Sequence, residues 1–365
     1  MDRKFPRIVF RLDKLRNNFQ QITARCAACS VSVAGVVKGV GGLPEIARLY
    51  KECGAAQLAS SRLEQIELWR KEGIEGPFLL LRVPGMSELS DLPRLADYSL
   101  QSERSTLDAL EEVCTRQGLT HNVILMADLG DLREGFWDRE EMVQACCHVE
   151  WDLPHLHLAG VGVNLGCYGS IIPTPENLGQ LVEIARTVEG RIGRKLEIVS
   201  GGATSSFPLI HRGTMPEGIN HLRIGEAALL AKDLQVDWGI HDMTYLQRGT
   251  IYLEGEIIEL RKKPTYPVGD TIIDSFGRRP TYVDRGVRLR GLVGFGRADA
   301  GDLESLICHE PGMTVIGGSS DHCIVDVEDC HRALKVGDVV RFDLCYGHML
   351  YATGRQDIAK IFVDA

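Results

Sequence analysis

The sequence predicts an α/β protein, a (β/α)8 TIM barrel followed by a C-terminal all-β domain. Eight strand candidates alternate with helical segments up to about residue 236. Polar and glycine residues follow several of these strands directly. From residue 237 onward, short strands separated by Gly/Pro turns replace the helical periodicity. We therefore expect a barrel domain at 1–236 and a β domain at 237–365, with residues 1–10 as candidates to pair with the β domain.

The order of elements supports the barrel. A short strand at 8–10 and a helix at 13–29 come first, and the barrel strands follow at 31–38, 55–60, 77–82, 97–102, 122–129, 158–165, 196–200 and 221–224. Helices are predicted between them at 43–53, 61–71, 86–95, 105–117, 138–148, 175–192 and 205–212. The β domain has strand candidates at 252–260, 287–295, 314–317, 324–327, 338–344 and 358–363. A doubly wound open sheet is the alternative, but Gly39–Gly42 lacks the GxGxxG spacing that it would require.

Composition narrows the function classes. The 365 residues are 44% hydrophobic and 25% charged, and the net charge of −9 argues against a nucleic-acid partner. No apolar run approaches the roughly 18 residues that a membrane span needs, and the N-terminus lacks a signal-peptide pattern. The eleven cysteines are scattered, which is typical of reduced thiols. Cys26 and Cys29 have CxxC spacing but no second pair, so we favour no zinc or redox site there. We expect a cytoplasmic enzyme without a bound metal.

Lys38 ends the first barrel strand. The run Ser30–Val37 before it is mostly apolar, and glycines follow it. Burial of an ammonium group lowers its pKa and makes the amine a nucleophile. The alternative is a lysine whose ammonium reaches back to water. Active sites of this fold lie at the C-terminal ends of the strands, which favours a chemical role.

The segment Ser200–Ser206, Ser-Gly-Gly-Ala-Thr-Ser-Ser, follows the seventh barrel strand and is typical of an anion-binding loop. Glycines allow close backbone approach, hydroxyl groups can donate hydrogen bonds, and a helix begins next. The loop after the eighth strand adds further N–H groups. The alternative is a Ser/Gly loop with an ordinary helix cap. The candidate phosphate-binding residues are Ser200, Gly202, Thr204, Ser205, Ser206, Ile224 and Gly225.

A phosphate-binding loop and a lysine flanked by apolar residues together suggest pyridoxal 5'-phosphate (PLP). The lysine would form the Schiff base and the loop would hold the phosphate. Arg223 in the eighth strand would face the pyridine nitrogen, where an arginine keeps that nitrogen unprotonated. The alternative for Arg223 is an ion pair with Glu226 or Asp128.

Several segments resemble the alanine-racemase-type PLP enzymes, and most closely their ornithine and amino-acid racemase branch. The resemblance covers nearly the whole chain. The matching segments are Gly35–Lys38, Ser61–Gln65, Leu129–Gly135, Asn164–Gly169, Ser200–Ser206, Leu222–Glu226 and Gly318–His322.

The resemblance implies a role for particular residues. Lys38 corresponds to the Schiff-base lysine, Arg223 to the partner of the pyridine nitrogen, and Arg133 to the arginine near the substrate carboxylate. Asn164 stands where alanine racemases have a histidine, and Tyr346 in the β domain is a further candidate cofactor contact. The family also implies a head-to-tail homodimer in which the β domain of one chain covers the barrel mouth of the other.

The second catalytic base is the main departure from alanine racemases. Their tyrosine lies in a Gly-Tyr-x-Asp-Gly segment, whereas this chain has Gly296–Asp299. Racemisation needs one proton-transferring group on each face of the substrate Cα. Lys38 can serve one face, and the candidates for the other are His322, then Asp321 and Ser320. The alternatives are a turn in which Asp321 and His322 merely bond to each other, or a metal ligand at His322.

The sequence therefore predicts a PLP-dependent amino-acid racemase acting on ornithine or another basic amino acid. Asp299, Asp131 and Glu134 are candidates to bind the substrate's side-chain ammonium. Alternatives are a racemase of alanine or serine, and a D-amino-acid aldolase, dehydratase or decarboxylase on the same scaffold. A PLP-homeostasis protein is the non-enzyme alternative, but that class resembles the barrel alone.

Overall fold

The computed structural model describes residues 4–364. The chain divides into two compact units, one of them Arg16–Leu246 and the other the described part of Met1–Leu15 together with Gln247–Ala365. Strand β1 (Arg7–Arg11) and helix α1 (Leu12–Ala28) open the chain. None of the helices within residues 4–364 is long and apolar enough to cross a membrane.

The first unit is a closed barrel of eight parallel strands in sequential order. Its strands are β2 (Ser32–Val36), β3 (Gln57–Ser60), β4 (Phe78–Leu80), β5 (Tyr98–Gln101), β6 (His121–Ala127), β7 (Leu156–Val163), β8 (Ile198–Ser200) and β9 (His221–Ile224). Its helices are α2 (Pro44–Glu52), α3 (Leu63–Lys71), α4 (Leu92–Leu95), α5 (Arg104–Gln117), α6 (Arg139–Asp152), α7 (Pro175–Ile192), α8 (Phe207–His211) and α9 (Glu226–Leu229). Each predicted barrel strand overlaps an observed strand, so the predicted fold is confirmed.

Apolar side chains from alternate strand positions pack together in the core of the barrel. Ala34 and Val36 of β2 pack with Ile124 and Met126 of β6 and with their counterparts from neighbouring strands. The spacing follows from the two-residue period of a strand, which directs alternate side chains to one side. The barrel is therefore a packed core, and polar residues that follow its strands collect at the C-terminal end.

The second unit is built on an eight-stranded sheet. Six of its strands have the order β12-β15-β10-β11-β14-β13, and the other two, β1 and β16, pair off this path. Its further strands are β10 (Ile251–Pro264), β11 (Val287–Val293), β12 (Ile307–Cys308), β13 (Thr314–Gly318), β14 (Cys323–Asp326), β15 (Val339–Asp343) and β16 (Ala359–Val363). Strand β1 runs antiparallel to β10 and parallel to β16. Two helices that the sequence analysis does not predict, α10 (Arg297–Ala300) and α11 (Tyr346–Gly354), lie in the same unit.

One predicted barrel helix is wrong in its extent. The segment 86–95 forms a 3-10 turn at Met86–Glu88 and then the short α4. Pro93 lies in the first turn of α4, where a missing N–H costs nothing, but it could not lie inside a continuous helix.

Candidate active site

Lys38 follows β2 after one residue, Val37, and begins a 3-10 turn, Lys38–Val40. The turn ends at Gly41 and Gly42, which have φ values of +65° and +74°. A Cβ atom on Gly42 would lie 2.6 Å from the Cβ of Gln65, so the turn requires glycine there. The glycines that follow Lys38 in the sequence thus let the chain turn away at once and leave the lysine at the strand end.

The surroundings of the Lys38 amine disfavour its charged form. Burial lowers its pKa from the ordinary 10.5, and the positive charges of Arg133 and Arg223 lower it further. Between residues 4 and 364, no hydrogen bond or ion pair holds this amine. A lowered pKa favours the uncharged amine, which is the form that acts as a nucleophile or a base.

Arg133, in the loop after β6, pairs with its neighbour Glu134. Its Nη2 donates to Glu134 Oε1 at 2.5 Å and its Nε donates to Oε2. Burial alone would lower the pKa of Arg133, but the hydrogen bonds and charge of Glu134 outweigh burial and raise it. Arg133 is therefore a fixed cation close enough to Lys38 to affect its titration.

Asp131 organises the loops after β6 and β7. This carboxylate is 1% exposed and accepts the backbone N–H groups of Cys167 and Tyr168, both at 3.2 Å. Asn164, which follows β7, donates its side-chain Nδ2 to Asp131 Oδ2 at 3.3 Å. Asp131 thus holds Asn164 in place and has little capacity left for a substrate ammonium.

Arg223 lies in β9 and is 4% exposed. Its Nη1 donates to the Ser200 hydroxyl, and its Nη2 donates to the carbonyl of Val163 at 2.9 Å. These partners replace the ion pair with Asp128 or Glu226 that the sequence left open. Burial lowers the pKa of Arg223 to about 10, so the guanidinium still carries its charge at neutral pH.

The loop Ser200–Ser206 enters a 3-10 turn at Thr204–Ser206, which leads into α8. Thr204 Oγ1 accepts the N–H groups of Gly225 at 3.4 Å and Ala227 at 3.3 Å, so the loops after β8 and β9 are joined. Ser205 donates to the Leu165 carbonyl at 2.7 Å. The predicted phosphate residues are thus brought together from two neighbouring strands, with Ile224 buried just before Gly225.

At this loop, backbone N–H groups are more available to bind an anion than the serine hydroxyl groups are. Ser206, like Ser205, donates its hydroxyl to a carbonyl, that of Gly201 at 2.7 Å. The first N–H groups of a helical turn have no acceptor within the turn and can bind an anion. Gly202 has a φ of +113°, and a Cβ atom there would lie 2.6 Å from Ser206 Oγ.

The candidates for the second proton-transferring group lie in the other unit, at the tip of the β13–β14 hairpin. The Ser319 N–H donates to the His322 carbonyl at 2.8 Å. Ser320, Asp321 and His322 are exposed. Ser320 donates to Asp321 at 2.5 Å, and His322 Nδ1 lies 3.3 Å from Ser319 Oγ. Asp321 and His322 thus each bond to a serine, which differs from the mutual Asp321–His322 bond considered as an alternative.

This turn packs on Gly296–Ala298, part of the segment that the sequence resemblance sets against the tyrosine segment of alanine racemases. The N–H groups of Arg297 and Ala298 donate to the carbonyls of Ser319 and Ser320 at 2.9 and 3.0 Å. A Cβ atom on Gly296 would lie 2.2 Å from the Ser320 carbonyl oxygen. Tyr346 begins α11 in the same unit.

The comparisons with known proteins identify the family. The sequence model of the alanine racemase N-terminal domain matches residues 10–233, which is more than half of the chain. The chain belongs to the alanine racemase family. The resemblance seen in the sequence is thereby confirmed.

Members of this family with known activity extend over the whole chain. Ornithine racemase of Acetoanaerobium sticklandii is 35% identical over 356 residues, covering 98% of this chain and 99% of that protein. Lysine racemase of Thermotoga maritima is 36% identical over 363 residues, covering 98% of both.

Solved structures share the fold at low sequence identity. An alanine racemase from Clostridium difficile 630 superposes with a TM-score of 0.76 at 18% identity, covering 100% of this chain and 97% of that one. A D-threonine aldolase from Filomicrobium marinum has a TM-score of 0.71 at 16% identity, covering 96% and 89%. These two likenesses show the fold alone.

PLP is the cofactor of this family, and the barrel residues fit it. A Lys38 amine with a lowered pKa, a fixed guanidinium at Arg223 and a glycine-lined loop at Ser200–Ser206 match the three chemical groups of the cofactor. They are the aldehyde, the pyridine nitrogen and the phosphate. All three lie at the C-terminal ends of barrel strands.

Three contacts of the candidate site residues are not predicted from the sequence. The Val163 carbonyl and the Ser200 hydroxyl fix Arg223, and Glu134 pairs with Arg133. A backbone carbonyl leaves no trace in residue type, so Val163 could not be found from sequence. The adjacency of Arg133 and Glu134 in the chain is a signal for their pairing.

Proposed function

We propose that this chain is a PLP-dependent racemase of a basic amino acid, with ornithine as the first candidate substrate. The observation that carries the proposal is the partly buried, unpartnered Lys38 amine, whose pKa is lowered by burial and by two arginines. The substrate class is supported by the ornithine and lysine racemases that match nearly the full chain.

PLP, when bound, supplies an electron sink for the negative charge that develops at the substrate Cα. Lys38 would hold the cofactor and, once released, remove or return the Cα proton on one face. Arg223 would contact the pyridine nitrogen, and the loops at Ser200–Ser206 and Gly225 would bind the phosphate. Arg133 would bind the substrate carboxylate, since guanidinium and carboxylate form strong charge-assisted hydrogen bonds.

The other face of Cα needs a second group, and we assign it to the turn at Ser319–His322. His322 is the first candidate because imidazole exchanges protons near neutral pH. We propose that this turn comes from the second subunit of a head-to-tail homodimer, as the family resemblance implies. Tyr346 would contribute a further cofactor contact.

The side-chain ammonium of a basic substrate needs an acidic partner. Asp131 already accepts three hydrogen bonds, and Glu134 is paired with Arg133. Asp299 is held more loosely: it accepts the Gly296 N–H at 2.9 Å, and its Oδ1 lies 3.8 Å from Arg355 Nε. Burial raises its pKa against these two partners. We therefore favour Asp299 among the three acids.

A reducing compartment such as the cytoplasm suits this protein. Its eleven cysteines are all free thiols, and several are fully buried. Proteins of oxidising compartments use cysteines mostly in disulfides.

Isotope exchange tests the reaction type. The PLP-loaded protein is incubated separately with L-ornithine and D-ornithine in D2O. We expect the opposite enantiomer to appear with deuterium at Cα. A carbonyl product or released CO2 as the main reaction would contradict racemisation.

A substrate panel tests the specificity. Ornithine, lysine, alanine and serine are compared by kcat/KM, and we expect the two basic amino acids to lead. Asp299→Asn should lower kcat/KM for ornithine while leaving that for alanine nearly unchanged. Preference for alanine or serine would refute the assignment to basic substrates.

A further inference from the structure

A chain of hydrogen bonds runs behind Arg223, on the side of Ser200. Ser200 Oγ, which accepts from Arg223 Nη1, also lies 2.9 Å from His221 Nδ1. His221 Nε2 in turn lies 3.2 Å from Gln57 Oε1. All four side chains are at least nine-tenths buried. We call this set, Gln57–His221–Ser200–Arg223, the arginine relay.

Strand register brings these four residues together. Ser200 of β8 pairs with His221 of β9. Ala34 of β2 pairs with Gln57 of β3 on one side and with Arg223 of β9 on the other. Since Ala34 presents only a methyl group, the Gln57 amide can cross β2 and reach the His221 ring.

The direction of the hydrogen bonds follows from chemistry. A guanidinium only donates, so Ser200 Oγ accepts from Arg223 and its own O–H is free to donate to His221 Nδ1. His221 must then carry its proton on Nε2 and donate to Gln57 Oε1. Burial, followed by the charge of Arg223, lowers the pKa of His221 to about 3, so the ring is neutral, as this pattern requires.

The reverse direction leaves a group unsatisfied. If Gln57 donated to Nε2, His221 would donate from Nδ1 to Ser200, which already accepts from Arg223. The Ser200 hydroxyl hydrogen would then be buried without an acceptor, at a cost in stability. Only in the first direction does each hydrogen that links these four side chains have an acceptor within the arginine relay.

We propose that His221 is a positioning residue for Arg223. Its neutral ring holds the Ser200 hydroxyl with the oxygen lone pairs toward the guanidinium, so that Arg223 presents its remaining N–H groups in one fixed orientation. The inference rests on the proposed function in one respect, because it takes those N–H groups to face the cofactor's pyridine nitrogen. His221 itself touches neither cofactor nor substrate.

The test uses His221→Leu, which removes the acceptor for Ser200, and His221→Asn, whose Oδ1 can stand in for Nδ1. Ser200→Ala breaks the arginine relay one step closer to Arg223. This variant replaces His221→Leu in the test if His221→Leu does not fold. His121→Leu is the matched control, since His121 is also buried and bonds a serine, Ser99, at 2.9 Å, but that serine accepts from the Gln101 amide at 2.8 Å in place of an arginine.

Three readouts are taken on each variant: the visible absorption spectrum of the bound cofactor, the PLP dissociation constant of the apoprotein, and kcat and KM. We expect His221→Leu and Ser200→Ala to shift the spectrum, weaken PLP binding about tenfold and lower kcat with little change in KM. His221→Asn should restore most of the wild-type spectrum, PLP affinity and kcat. The double variant His221→Leu/Ser200→Ala should resemble the two single variants. His121→Leu should lower the melting temperature alone.

Wild-type spectra and PLP affinity in both His221→Leu and Ser200→Ala would overturn the inference. So would equal effects of His121→Leu, which would indicate a merely structural role. Nitrogen-15 NMR of the apoprotein checks the tautomer without the cofactor, and a proton on Nδ1 of His221 would also overturn it. A wild-type apoprotein that shows the Nε2 tautomer but takes up no PLP would instead refute the proposed function.

Discussion

Asn164 donates a hydrogen bond to Asp131 across two loops of the barrel, at 3.3 Å from Nδ2 to Oδ2. The same carboxylate accepts the backbone N–H groups of Cys167 and Tyr168. The loop after β7 therefore depends on one buried acid supplied by the loop after β6. An acid that looks like a substrate contact in the sequence is in the structure a loop anchor.

Replacement of that anchor should loosen the loop after β7. Asp131→Asn removes one acceptor oxygen, leaving a buried N–H unsatisfied, and we expect about 1 to 3 kcal/mol lower free energy of unfolding. Urea denaturation measures the loss, and hydrogen exchange at Cys167 and Tyr168 locates it. Glu140→Gln, which breaks an exposed ion pair with Arg191, is the control and should change little. Unchanged exchange in Asp131→Asn would contradict the anchor role.

Lys38 should make the stability of the apoprotein depend on pH in a definite direction. Its pKa is below 10.5 in the folded protein, so the unfolded chain binds more protons between the two pKa values and stability rises with pH there. The free-energy cost of burying the charged lysine is complete at pH values below its pKa in the folded protein, and it vanishes above pH 10.5. Lys38→Met should therefore stabilise the apoprotein at neutral pH, and the gain should shrink toward alkaline pH.

Urea unfolding of both apoproteins at several pH values checks this. Lys51→Met is the matched control, because Lys51 already donates to the Gly76 carbonyl and its loss should not stabilise the protein. A gain for Lys38→Met that stays constant with pH would show that packing, rather than ionisation, is responsible. Lys38→Ala should also abolish the visible absorption of the covalently bound cofactor, and Lys51→Ala should retain it.

The barrel was predictable because its signals are local. Strands such as Phe78–Leu80 are short apolar runs between helical segments. Helix α11 was missed because Tyr346–Gly354 has no apolar stripe with helical spacing. Its start is instead fixed by His348, whose Nδ1 accepts the Cys345 N–H at 3.0 Å.

The site was predictable where residue type carries the chemistry. A lysine at a strand end and a Ser/Gly loop indicate a nucleophile and an anion site from sequence alone. The relation of Asp131 to Cys167 and Tyr168 could not be predicted, because a carboxylate that binds backbone N–H groups looks no different in sequence from one that binds a ligand. Which acids are free is decided by tertiary contacts.

Glu254 of β10 should be essential for the attachment of β1. It is 2% exposed and bonds Arg7 of β1 at 2.5 Å and Arg341 of β15 at 2.8 Å. Glu254→Gln removes the buried negative charge that both arginines bond. Because they are partly exposed, we expect about 2 kcal/mol of destabilisation, less than for a fully buried pair.

Urea unfolding and tryptic cleavage at Arg7 and Arg11 measure this effect, and cleavage should accelerate. Glu259→Gln on the same strand is the control, since Glu259 forms a surface pair with Lys263 and should contribute little. Equal losses in the two variants would show that Glu254 has no special part in holding β1.

The turn Ser319–His322 should serve one face of the substrate only. If His322 is the second proton-transferring group, His322→Gln should lower kcat about 100-fold or more, without loss of bound PLP. Exchange of the Cα proton in D2O should then persist for one enantiomer of ornithine, which Lys38 serves, and stop for the other. His309→Gln is the matched control, an exposed histidine of the same unit that lies 3.2 Å from Asp343. Equal exchange of both enantiomers in His322→Gln would exclude His322, and the same measurement on Asp321→Asn and Ser320→Ala would then identify the group.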